Sequence, residues 1–126
     1  MWDGINRRRF PRANYPCKVK LYKKHPAEEI LTQTDNVGVG GVGVTLGKEL
    51  PRFLEVQLEL DFEDGVGSIK SMGRIVWSVK HTIKLDKKPK FDTGIEFTNL
   101  KAEDKKRIEK IVEMVLIKNP PQEQEA

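Results

Sequence analysis

Leu54-Glu-Val-Gln-Leu-Glu-Leu-Asp-Phe62 alternates apolar and polar residues without a break. A period of two over this length marks a strand with one buried and one wetted face. Leu54, Val56, Leu58, Leu60 and Phe62 are therefore expected to face a core. Asp64-Gly65 follows, a strong signal for a hairpin turn. Past the turn, Ser68 to Val79 reads as a long strand whose apolar positions are Ile69, Met72, Ile75 and Trp77. Upstream, Cys17–Tyr22, Glu29–Asn36 and Val42–Leu46 carry the same alternation, and His25-Pro26 ends the first of them. Downstream, Phe91–Phe97 is the last strand, after the loop Asp86-Lys-Lys-Pro-Lys90.

The period then changes. Ile108, Ile111, Val112, Val115 and Leu116 fall on one helical face. Asn99 is the expected N-cap, and Glu103 and Asp104 suit the positive end of the helix dipole. Asn119-Pro120-Pro121 stops the helix. Short strands followed by one amphipathic helix predict a small antiparallel barrel with the helix packed beside it. The expected organisation is an arginine-rich arm over 1–13, a barrel and helix over 14–118, and a disordered tail over 119–126.

The chain has 126 residues, 37% hydrophobic and 33% charged. This is a single globular domain by length. It is too short for a two-domain dinucleotide enzyme, a TIM barrel or a kinase. No apolar run approaches the roughly 20 residues that span a bilayer. MWDGINRRRF has no apolar stretch that would serve as a signal peptide. One cysteine excludes an internal disulfide and a multi-cysteine zinc site. The expected location is cytoplasmic, with no membrane insertion.

Charge is uneven. Residues 1–26 hold eight Lys/Arg against Asp3 alone, for +7, while the remainder carries −3. The basicity belongs to an arm. Its densest part is Arg7-Arg8-Arg9-Phe10-Pro11-Arg12. Guanidinium forks bind phosphates and the Hoogsteen edge of guanine through paired hydrogen bonds. A solvated terminus is the alternative reading of the same run.

A second feature is Asp35-Asn-Val-Gly-Val-Gly-Gly-Val-Gly43. Gly38, Gly40 and Gly43 match G-x-G-x-x-G, yet that fingerprint needs a helix after it. Here a strand pattern follows, so a dinucleotide fold is rejected. A glycine-rich hairpin turn is the plain reading. The functional one is a bare backbone on which a flat ligand lies close, with Asn36 as its polar partner.

In this order and spacing the two elements resemble the signature of PilZ domains, R-x-x-x-R followed by [D/N]-x-S-x-x-G. Arg8 and Arg12 supply the first motif, with Arg7 before it. Asn36-Val37-Gly38-Val39-Gly40-Gly41 supplies the second. Gly73-Arg-Ile-Val-Trp77, Gly94-Ile-Glu-Phe97 and the final helix resemble the rest of that family, over residues 6–117. The resemblance implies a mostly β fold, a six-stranded antiparallel Greek-key or split β-barrel with a C-terminal α-helix. It also implies a bacterial, non-enzymatic receptor for the second messenger cyclic di-GMP, with no cofactor and no metal. Arg8 and Arg12 would grip phosphates and guanine edges, with Arg7 and Arg9 as secondary contacts. Asn36, Gly38, Gly40 and Gly41 would meet the ligand from the barrel. Ligand would fold the mobile arm onto the barrel and switch a surface for a protein partner in motility, secretion or exopolysaccharide control.

The family's serine is Gly38 here. The missing hydroxyl removes a bond of about 1 kcal/mol, which corresponds to a roughly five- to tenfold weaker affinity. A degenerate adaptor that binds only proteins is the reading this residue favours, whereas Arg8, Arg12 and Asn36 favour the receptor. A single-strand nucleic-acid barrel fits less well. It needs aromatics along a basic groove, and aromatic content is 7% with the basic charge on an arm.

Other residues carry less. Cys17 reads as a buried, inert thiol. His25 and His81 lack metal-ligand spacing. Asp61, Glu63 and Asp64 read as a charged hairpin tip. Lys84, Lys87, Lys88 and Lys90 read as solvated, and no acid–base constellation stands out. Arg74, on the barrel wall, is a further ligand candidate. Trp77 is a core or groove residue, or a stacking face if its side of the strand points to the arm.

Overall fold

The computed structural model describes residues 12–24, 27–81 and 88–118. Arg7, Arg8, Arg9, His25, Pro26 and the 119–126 tail lie outside them. The strands are β1 (Arg12–Ala13), β2 (Lys18–Lys24), β3 (Ala27–Gly38), β4 (Gly41–Leu46), β5 (Glu55–Asp61), β6 (Ile69–His81) and β7 (Lys90–Phe97). One helix follows, α1 (Ala102–Lys118). All pairings are antiparallel, in the order β1-β3-β2-β5-β6-β7-β4, and β4 closes back on β3. β2, β3 and β4 run as a meander and β5 returns beside β2, which is a Greek key. Six long strands thus close a barrel, as expected.

Closure is partial. β3 and β4 pair only from Thr34 to Val37, while Ala27–Gln33 pair with β2. Lys48 to Glu28, at 2.5 Å, and the Thr32 hydroxyl to the Thr45 carbonyl, at 3.1 Å, bridge the opening.

Alternation places the core. Val56, Leu58, Leu60 and Phe62 are all buried and Leu54 partly so. Ala13, Val37, Val42, Ile95 and Ile75 form one cross-strand row through the interior, each at most 2% exposed. Each fully buried Val or Ile of this row contributes roughly 1.5–3 kcal/mol.

β1 and β2 run along the same edge of β3, interrupted at Asn14–Pro16. Pro16 has no N–H to give the ladder. Thr34, buried, repairs the gap. Its hydroxyl donates to the Tyr15 carbonyl at 2.5 Å and accepts the Cys17 N–H at 2.9 Å. Cys17 lies beneath it, 4% exposed. Burial pushes its thiol pKa up, the Thr34 hydroxyl, 3.7 Å from the sulfur, lowers it, and the Asp61 charge raises it further.

α1 docks through Ile108 and Val112, both buried, with Ile111, Val115 and Leu116 partly covered. Lys101 precedes its first residue, and the Lys105 N–H bonds the Lys101 carbonyl. Asn99 therefore lies before the cap, not in it. Glu103 and Asp104 do occupy the first turn. Arg107 ties the helix to the β5–β6 hairpin: one Nη2 reaches Asp64 at 2.8 Å and the Gly67 carbonyl at 2.7 Å. Its guanidinium lies 5.7 Å from the Phe62 ring, which itself stacks on Tyr15 at 5.7 Å. The acidic hairpin tip is thus partly an anchor for the helix. Asp64 is held below the usual carboxyl range by the Val66 N–H first and by Arg107 second.

Candidate functional site

Register brings the two motifs together. Arg12, the end of the arginine segment, is the cross-strand partner of Gly38, the middle of the glycine segment. β3 ends at Gly38 and β4 starts at Gly41, so Val39-Gly40 is the turn. The Gly40 carbonyl is capped by the Phe97 N–H at 2.9 Å. This tightens the turn onto the end of β7. Gly41 cannot be replaced cheaply, because a Cβ there would meet the Ile95 carbonyl.

Two outward rows cross the wall beside this turn. In one, Gly41 pairs with Glu96, Glu96 with Arg74, and Arg74 with Glu55. In the other, Asn36 pairs with Gly43, Gly43 with Gly94, and Gly94 with Trp77. Both glycines sit under side chains. A Cβ on Gly43 would lie 3.0 Å from the Asn36 amide, and one on Gly94 would lie 2.5 Å from the Trp77 indole. The result is an aromatic face and an amide laid close to bare backbone. Arg74 donates from Nε to Glu96 Oε2 at 3.1 Å, and its Nη2 lies 3.1 Å from the same oxygen in an ion pair. Both side chains remain a little under half exposed.

Trp77 reaches this face through a bulge. β6 slips register between Ile75 and Trp77 against β7, so Val76 is the extra residue. Without it Trp77 would share the inward side with Ile75. A second slip, between Thr34 and Asn36, turns Asn36 outward while Thr34 stays in the core.

Of the residues singled out in the sequence, Arg12, Asn36, Gly38, Gly40, Gly41, Arg74 and Trp77 thus gather on one wall and its rim. Arg7, Arg8 and Arg9 lie outside the described residues. Sequence reading missed Gly43, Gly94 and Glu96 as parts of this surface. Two of them stood in Gly94-Ile-Glu-Phe97, where their spacing of two already put them on one face. Among the described residues, no group of three or more His, Cys, Asp or Glu side chains is placed to hold a metal. No described helix is long and apolar enough to cross a membrane.

The PilZ domain profile matches residues 6–114. No curated protein matches this chain. Solved structures do. The inhibitor of motility MotI/DgrA of Bacillus subtilis aligns with a TM-score of 0.72 at 17% identity, over 90% of this chain and 53% of its own. The PilZ domain of YcgR from Escherichia coli, solved with c-di-GMP, aligns at 0.66 and 16%, over 89% and 93%. MrkH of K. pneumonia aligns at 0.71 and 15%, over 85% and 48%. This chain spans about half the length of MotI/DgrA and MrkH, and nearly all of the isolated YcgR domain. These likenesses are likenesses of fold. With the profile covering most of the sequence, the chain belongs to the PilZ domain family.

Proposed function

We propose that this protein is a non-enzymatic receptor for cyclic di-GMP. One observation carries the reading: β1 pairing sets the backbone of Arg12 against Gly38, at the rim of the wall formed by Asn36, Gly43, Gly94 and Trp77. The ligand offers two phosphates and two guanines. Arg8 and Arg12 bind phosphate oxygens and a guanine edge through charge-assisted forks. Asn36 and the turn meet the ligand from the barrel, and the Trp77 indole supplies a stacking face. Arg7 and Arg9 add charge, and Arg74 lies one row away. The family match and the PilZ domain of YcgR, solved with c-di-GMP, support the choice of ligand.

Repulsion among Arg7, Arg8 and Arg9 opposes packing of the arm until an anion neutralises it. Ligand then draws the arm over the wall and changes the surface shown to a protein partner. Limited trypsin digestion tests this. Cyclic di-GMP is expected to protect cleavage after Arg7, Arg8 and Arg9 in the wild type. Equal cleavage with and without saturating ligand would contradict the switch.

The adaptor reading keeps Gly38 in its favour. It predicts a folded protein that ignores cyclic di-GMP.

A further inference from the structure

We infer that Glu96 reads the Watson–Crick edge of one guanine and so selects guanine over other purines. This deepens, and rests on, the cyclic di-GMP reading. Glu96 and Gly94 are two residues apart on the outward side of β7. That is a separation of roughly 7 Å along the strand, about the width of a purine. Gly94 lies beneath the Trp77 indole. A base stacked on that indole therefore has the Glu96 carboxylate in reach of its edge.

The carboxylate is prepared for this. Arg74 spends two nitrogens, Nε and Nη2, on one oxygen, Oε2, at 3.1 Å each. Among the described residues no second group bonds Glu96, and Oε1 has no donor from them. Arg74 also neutralises the charge, so the carboxylate can sit beside an anionic ligand. Guanine presents two adjacent donors on this edge, N1–H and the exocyclic amine, and the two lone pairs of Oε1 accept both. Adenine presents an acceptor at N1 and is repelled. Arg74 is thus a positioning residue and Glu96 the selecting one.

The test compares cyclic di-GMP with cyclic di-IMP, whose bases lack the exocyclic amine, on wild type, Glu96→Gln and Glu96→Ala. Both variants change an exposed side chain, and their melting temperatures check the fold. Wild type is expected to prefer cyclic di-GMP by roughly tenfold or more, and Glu96→Ala to lose most of that ratio. The ratio is insensitive to the charge that Arg74 regains, since both nucleotides carry the same phosphates. Equal wild-type affinities, or a preference unchanged in Glu96→Ala, overturn the inference and leave the receptor standing. A wild type that binds neither nucleotide overturns the receptor, and the inference with it.

Discussion

Arg12 and Gly38 face each other across two antiparallel strands. That pairing depends on a repaired interruption: Pro16 breaks the edge and the Thr34 hydroxyl rejoins it through Tyr15 and Cys17. A core residue thereby fixes where the arginine segment meets the barrel.

Gly38 lies in extended backbone, unlike Gly65 and Gly67 with their positive φ. It can therefore accept a side chain without backbone strain. Gly38→Ser restores the family hydroxyl and is expected to tighten cyclic di-GMP binding roughly five- to tenfold, read by calorimetry. Unchanged affinity would show that the hydroxyl has no partner in this site.

Thr34→Val keeps the shape but removes the hydroxyl's two backbone bonds and its contact with the Cys17 sulfur. The Cys17 N–H and Tyr15 carbonyl are left without their partner, at a cost of about 1–3 kcal/mol in urea unfolding. Thr34→Ser keeps both bonds and is expected to cost less. Ligand affinity should fall with Thr34→Val, because β1 loses its tether.

Gly94→Ala sets a methyl into the Trp77 indole, 2.5 Å from three of its atoms. The ring has to leave its place, with a stability cost of roughly 1–3 kcal/mol. In a Trp2→Phe background the single tryptophan emission should shift to the red as the indole meets water. An unmoved spectrum would refute the packing of Trp77 on Gly94.

Folding keeps the Cys17 thiol protonated to higher pH than in the unfolded chain, where it ionises near 9.0. The raised pKa therefore gives stability that is complete below that value and lost as pH rises through the folded pKa. Denaturation midpoints should drop above pH 9, and the drop should shrink in Cys17→Ala. At neutral pH the native thiol should resist iodoacetamide until the protein unfolds.

Much of the fold was legible because period two is a local signal. Leu54–Phe62 named its own inward face, and Ile108, Val112 and Leu116 named the helix side that docks. β1 was not legible: two residues carry no period, and their pairing is set by Thr34, far along the chain. Nor was the orientation of Trp77, since strict alternation puts it beside Ile75 and only the bulge at Val76 turns it out. The Asn99 cap failed because a side chain that suits a cap does not fix where the helix begins. Arg74, Asn36 and the glycine run were visible as residue types. Their gathering on one wall, and the part of Glu96 in it, came from cross-strand register, which a linear sequence does not display.

The most direct test of the central claim is a calorimetric titration of cyclic di-GMP into the wild type and into Arg8→Ala and Arg12→Ala, with each variant's fold checked by thermal unfolding. The account predicts saturable binding in the wild type, lost or weakened at least tenfold in each arginine variant. No binding to folded wild type, or wild-type affinity in both variants, would contradict it.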